Sequence, residues 1–170
     1  YRLGDKIWSN TEKMTTSSPF KIQKNLRMMA DAGCEVAIVE VTSHSVVQSR
    51  IWGINFDVAV FTNLTADHIE YHGSHEAYMA AKGQFIGSLF GMRRKNINGK
   101  TVPKVLVLNE DDKYFDYYDS FEGDRKLTFG LEKGQYRALK LKNDASGIDF
   151  ELKLPNGNVE MKTNLLGKFN

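Results

Sequence analysis

The chain has 170 residues, 41% hydrophobic and 26% charged, which is enough for one core of ordinary size in a soluble, globular composition. Lys plus Arg number 23 against 21 for Asp plus Glu, and the basic residues are scattered apart from Arg93-Arg94-Lys95, which argues against a nucleic-acid surface. No apolar run approaches the ~20 residues of a membrane span. The single cysteine, Cys34, excludes an internal disulfide framework, suits a reducing cytoplasm and reads as a small buried hydrophobe.

The first residues, YRLGDKIWSNTEK, have neither the form of a signal peptide nor a starting Met, and LLGKFN ends the chain without a capping segment. Both predict an internal piece of a longer protein. Residues 1–13 read as a short extended segment with a turn near Gly4-Asp5. Ser18 before Pro19 suits an N-cap and first helical position, and Ile22, Leu26 and Met29 repeat at helical spacing until Gly33. Ordinary turn and cap chemistry accounts for Thr15 and Thr16.

Cys34 to Val41, CEVAIVEV, has the composition of a buried strand and delivers Glu40 to its carboxyl end. A carboxylate in a run of Val and Ile is costly unless it meets a cation or metal, which singles Glu40 out. A short helix is expected over residues 44–52. It carries Gln48 and Arg50, whose two-residue spacing lets both face a ligand only near a helix end or in irregular backbone. Phe56 to Phe61 reads as a strand buried on both faces. It runs into Asn63, Thr65, Asp67, His68, His72 and His75, polar groups at the strand end where open α/β sheets bind ligands.

Ser74 suits the N-cap of a helix from His75 to about Phe90, with Glu76 in its first turn. Its apolar stripe is Tyr78, Phe85 and Leu89, and Lys82 falls on that stripe, where a snorkelling lysine is the plain reading. Gly91 to Lys104 reads as a basic loop. Val105 to Leu108 is a further buried strand ending in Asn109-Glu110-Asp111-Asp112. A weak helix over 112–120 and a short strand over Lys126 to Phe129 follow. After Gly134 the pattern alternates, and Pro155-Asn156-Gly157-Asn158 is a hairpin turn between Ile148 to Leu154 and Val159 to Leu165. The expectation is an α/β fold with a mostly parallel sheet flanked by helices, residues 1–134. A small antiparallel sheet near the C-terminus, residues 135–166, is distinct from it, and residues 167–170 begin the next segment.

Glu40, Asn63, His68 and Asn109 all lie at or beyond carboxyl ends of expected parallel strands and are candidates to converge on one crevice. An acid, a histidine and amides suit a hard cation and phosphate better than a nucleophilic triad, and no G-x-S-x-G elbow occurs. His68 and His72 have zinc-like spacing, but HIEYH is not H-E-x-x-H and Gly73 ends any helix there. No Walker A sequence is present. The residues by themselves lead to a ligand-binding α/β domain, with Mg²⁺ as a candidate ion.

EVTSHSVVQSR (residues 40–50), DVAVFTNLTADHIEYHGSHEAYMAAK (57–82), VLNEDD (107–112) and LLGKFN (165–170) together resemble the central, ATP-binding domain of the Mur ligases. Within that family they are most similar to the tripeptide-synthetase, or MurE-type, branch. The resemblance extends from Thr15 to Asn170. It implies a P-loop-type fold from which the first strand and P-loop, expected before Tyr1, and a C-terminal amino-acid-binding domain, expected after Asn170, are missing. It implies an ATP-dependent ligase that adds the third amino acid to UDP-N-acetylmuramoyl-L-Ala-D-Glu through an acyl phosphate in cytoplasmic peptidoglycan synthesis, the chain alone being inactive.

By the same resemblance Glu40 and His68 are Mg²⁺ ligands, and Lys82 is a carbamylated lysine acting with His68 in catalysis. Thr15, Thr16, Thr42, Gln48 and Arg50 bind the UDP-muramoyl-dipeptide. Asn109, Asp112 and Asn170 lie on the nucleotide side. Thr42 stands where the family usually has Ser, and Met14 where it often has Asn. A folylpolyglutamate or cyanophycin synthetase-like ligase, and a non-catalytic binding module, are the competing readings; EVTSH and YHG speak against the first. The amino acid added, lysine or meso-diaminopimelate, is not written in these residues.

Overall fold

The computed structural model describes residues 2–3, 6–7, 15–65 and 69–167, with 2–3, 6–7 and Ile69 as backbone only. In chain order the elements are β1 (Arg2–Leu3), β2 (Lys6–Ile7), α1 (Pro19–Asp31), α2 (Ser43–Val47), β3 (Val58–Phe61), α3 (Ile69–His72), α4 (His75–Ser88), β4 (Asn96–Ile97), β5 (Lys100–Thr101), β6 (Val105–Asn109), α5 (Phe115–Asp119), β7 (Arg125–Gly130), β8 (Tyr136–Asp144), β9 (Gly147–Leu154) and β10 (Gly157–Thr163). They group into two compact bodies, Tyr1–Asn55 with Ala66–Phe85, and Phe56–Thr65 with Ile86–Asn170. No helix among the described residues is long and apolar enough to cross a membrane.

The second body is built on a six-stranded sheet in the order β10-β9-β8-β7-β6-β3. The pairs β3-β6, β6-β7 and β7-β8 are parallel, and the pairs β8-β9 and β9-β10 are antiparallel. The expected α/β character is therefore present, as is the antiparallel tail. The tail is not a separate sheet, however: it extends the parallel one. The join is short, Phe129 opposite Tyr136 and Gly130 opposite Arg137, because residues 131–135 are a brief connection for parallel partners.

β6 lies inside the sheet, and Leu106 and Leu108 are fully buried, each such side chain contributing about 2 kcal/mol. On β3, Ala59 and Phe61 are buried, with Phe61 stacked 3.8 Å from Tyr118 of α5. Val58 and Val60 are exposed, so the expectation of burial on both faces fails for this strand, which among the described strands is the last in the sheet and has one covered face. Two cations meet Asp57 where β3 begins. Lys104, wholly buried, donates from Nζ to the Phe56 carbonyl at 2.5 Å and to Asp57 Oδ1 at 3.2 Å, while Lys95 reaches Asp57 Oδ2 at 2.5 Å.

In the first body α1 follows Ser18 and Pro19 as the sequence predicts, and Gly33 beyond its end has φ +82°. Ser74 accepts from the Ala77 amide at 3.1 Å and opens α4. The Glu76 backbone amide and the Ser74 hydroxyl at that helix start hold the Glu76 carboxyl below its ordinary value. Tyr78 and Ala81 face the core, with Ile22 of α1 also buried.

The largest departure is at Cys34 to Val41. This run is not a strand; Cys34 is exposed rather than buried, and Val36 and Ile38 are 76% and 93% exposed. Composition reports what a buried strand would need, but a strand exists only when a neighbour completes its ladder. No described strand pairs with this run. Gly91 to Lys104 departs in the opposite direction. The expected loop contains the hairpin β4-β5, turning at Asn98 and Gly99, both at positive φ. Asn-Gly is the strongest short hairpin signal and was there to be read.

Candidate functional site

Thr16 is 2% exposed, in the segment just before α1. Its hydroxyl donates to the Glu40 carbonyl at 2.8 Å and accepts from the Thr42 amide at 3.4 Å, and the two threonine hydroxyls lie 3.5 Å apart. Thr42 is the N-cap of α2, its Oγ1 accepting from the Ser45 amide at 3.2 Å. Ser43 and Ser45 are buried beside it. One hydroxyl thereby ties the loop before α1 to the loop before α2.

α2 ends at Val47, earlier than expected, with Gln48 as its C-cap and Ser49 at φ +53°. That irregular backbone satisfies the condition set by the two-residue spacing, and Gln48 and Arg50 meet. Arg50 donates from one terminal nitrogen to the Thr16 carbonyl at 2.9 Å and from the other to Gln48 Oε1 at 2.5 Å. Gln48 Nε2 in turn donates to the Tyr71 hydroxyl at 2.9 Å. His72 Nε2 and the Ser43 hydroxyl are 2.9 Å apart, and the His44 ring lies 3.9 Å from that of Tyr71. Four of the five expected substrate residues, Thr16, Thr42, Gln48 and Arg50, thus form one hydrogen-bonded group. Thr15 is adjacent in sequence and exposed. The sequence reading did not name Tyr71, which Gln48 adds to the group, whereas His72, named there among the polar groups that follow β3, lies beside it on the Ser43 hydroxyl.

In the other body the strand ends are held by Asn109-Glu110-Asp111-Asp112. Asn109 donates to the Thr62 carbonyl at 2.8 Å and accepts from the Asp111 amide at 3.0 Å. Asp112 accepts from the Leu64 amide at 3.0 Å and the Tyr114 amide at 2.8 Å. Asp111 accepts from three successive amides, Leu131, Glu132 and Lys133, at 2.5, 3.1 and 2.9 Å. Burial pushes its carboxyl up, yet these amides and the nearby Lys133 charge hold it below the ordinary carboxylate value. Gly130 admits this grip, since a Cβ there would lie 2.6 Å from the Asp111 carboxylate. The motif therefore clasps the loops after β3 and β7 to the end of β6.

The remaining candidates are divided. Glu40 is exposed at its side chain and engaged through its carbonyl. Lys82 is half-buried on the Tyr78 stripe of α4, its Nζ 5.4 Å from the Tyr78 ring centre, as the helical spacing predicts. Asn63 is exposed on the loop after β3. His68 and Asn170 lie outside the described residues. Among the described residues no group of three or more His, Cys, Asp or Glu could hold a metal ion. The proposed convergence of Glu40, Asn63, His68 and Asn109 thus includes Glu40 in one body, Asn63 and Asn109 in the other, and His68 undescribed.

A mostly parallel sheet with amide- and carboxylate-rich loops at its strand ends is of the open α/β class. The chain belongs to the Mur ligase family: residues 2–170 match its middle domain. It is 36% identical to the UDP-N-acetylmuramoyl-L-alanyl-D-glutamate–2,6-diaminopimelate ligase of Geobacillus kaustophilus, over 99% of this chain and 33% of the relative. It is 34% identical to UDP-N-acetylmuramyl-tripeptide synthetase 2 of Oceanobacillus iheyensis, covering 100% and 33%. Identity is also 34% to the corresponding L-lysine ligase of Staphylococcus epidermidis, covering 92% and 30%. A solved diaminopimelate ligase superposes with a TM-score of 0.73 at 29% identity, over 91% of this chain and 30% of that one. The chain spans about a third of the curated relatives it matches.

Proposed function

We propose that the chain is the central part of an ATP-dependent amide ligase that joins an amino acid to UDP-N-acetylmuramoyl-L-Ala-D-Glu, in the cytoplasm, during peptidoglycan synthesis. The observation that carries this reading is the bonded group of Thr16, Thr42, Gln48 and Arg50. An arginine whose planar fork is held at two nitrogens presents its remaining N–H donors with little loss of rotamer freedom, and such a fork suits phosphate or carboxylate oxygen. The names of the relatives, ligases for diaminopimelate or lysine on the same nucleotide-peptide, support that substrate class.

Mg²⁺ takes oxygen ligands and keeps much of its water, so a single exposed carboxylate at Glu40 is a suitable donor, with His68 as its proposed companion. Bound there, the ion would supply charge neutralisation for phosphoryl transfer from ATP. Lys82, carbamylated, is proposed as a further anionic group toward the ion. Attack of the lysine nitrogen on CO₂ with loss of its proton gives a carbamate, which turns a cationic side chain into an anionic one. Asn109 and Asp112 serve the nucleotide side by holding the loop after β3 in place. Asn170 is assigned to adenine.

The test uses the full-length protein containing this chain. ATP-dependent phosphate release is expected only when UDP-N-acetylmuramoyl-L-Ala-D-Glu and either lysine or meso-diaminopimelate are both present. Release with neither amino acid, across candidates, would remove the reading. Glu40→Gln and Lys82→Met are expected to lower that release at limiting Mg²⁺ with the fold retained; unchanged release would remove their roles.

A further inference from the structure

We propose that the Tyr71 hydroxyl donates a hydrogen bond to an anionic oxygen of the same ligand that Arg50 receives, which makes Tyr71 a binding residue of the nucleotide-peptide site. The argument begins with the direction of each hydrogen bond. Arg50 can only donate, so the Gln48 atom at 2.5 Å from it must be the carbonyl oxygen. That fixes the amide: Gln48 presents Nε2 to Tyr71, and an NH₂ group can only donate. The Tyr71 oxygen is therefore committed as an acceptor. Its own proton must point elsewhere.

The position of the ring supports a ligand role over a packing one. Tyr71 is 47% exposed, whereas the neighbouring aromatic with a core role, Tyr78, is 3% exposed. The Tyr71 ring is nonetheless held, at 3.9 Å from His44 and edge-on to His72 at 5.0 Å. His72 is in turn fixed by the Ser43 hydroxyl. A surface tyrosine kept in place on two sides, with its oxygen already accepting, costs little side-chain entropy to use as a donor. The donor stands one glutamine from Arg50, so a cation and a phenolic O–H flank one patch, a pairing that suits the oxygens of a phosphate or a carboxylate.

This inference rests on the substrate proposed above. The test measures binding of UDP and of UDP-N-acetylmuramoyl-L-Ala-D-Glu to the full-length protein by calorimetry, with Tyr71→Phe and Arg50→Ala compared to wild type. Tyr71→Phe keeps the ring contact with His44, and an unchanged melting temperature checks its fold. Tyr71→Phe is expected to weaken the nucleotide-peptide about 10-fold, raising its KM while leaving kcat and the KM for ATP unchanged. Equal weakening of UDP assigns the oxygen to the diphosphate, and weakening of the nucleotide-peptide alone assigns it to a carboxylate. If Arg50→Ala weakens binding and Tyr71→Phe does not, the donor role is overturned. If neither variant changes binding, the substrate assignment of the whole group falls with it.

Discussion

At Asp111 a single carboxylate replaces a missing piece of secondary structure. Three amides in the connection after β7 have no strand to pair with, and the two carboxylate oxygens accept all three. Because the folded carboxyl sits below its ordinary value, its stabilisation is complete above the unfolded pKa and is lost as pH falls through the folded one. Asp111→Asn is expected to cost about 1 kcal/mol at neutral pH, modest because the side chain is exposed, with the difference from wild type closing below about pH 4. Urea midpoints across that range check it. A difference that persists unchanged into acid would show that charge is not what holds the loop.

Among elements, the start of β3 carries the most concentrated charge. Lys104 is fully buried and faces Asp57, whose side chain is 27% exposed, while Lys95, at 38%, sits nearer solvent. The exposed pair adds little, but a buried ammonium left without its carboxylate is costly. Asp57→Ala is expected to destabilise the protein by about 2 to 3 kcal/mol, and Lys104→Met by clearly less, because it removes the charge along with the need to pair it. Chemical denaturation of the two variants side by side decides the matter. Equal losses would mean that the attraction within the pair, and not the penalty of an unpaired buried ammonium, is what the fold loses in both.

At the scale of the molecule, the sheet has one weak seam. β6 pairs along its length with both β3 and β7, whereas β7 meets β8 at two residue pairs. Strands with long ladders and buried side chains open only with the whole fold; short ladders open locally. Hydrogen exchange is expected to be slowest at Leu106 and Leu108 and markedly faster at Tyr136 and Arg137. Uniform protection across the seam would show that the antiparallel strands and the parallel ones unfold as one unit.

The sequence by itself determined the elements whose signals are local. The Ser18-Pro19 start of α1, the Ser74 cap of α4, the Lys82 position on the Tyr78 stripe and the hairpin after Leu154 depend on spacing and turn chemistry within a few residues, and these were legible. The family motifs likewise name Thr16, Thr42, Gln48 and Arg50, residues that hydrogen bonds join in the structure. Only the tertiary structure decided that Cys34 to Val41 is largely exposed and pairs with no described strand, that β3 is the last of the described strands on its side of the sheet, and that the tail strands extend the parallel sheet. The physical reason is the same in each case. A strand is completed by a partner distant in sequence, and no local pattern records whether that partner is there. The Gln48 amide is the counterpart within the site: its orientation, and with it the direction of the Tyr71 proton, follows from which atoms folding brings to Arg50.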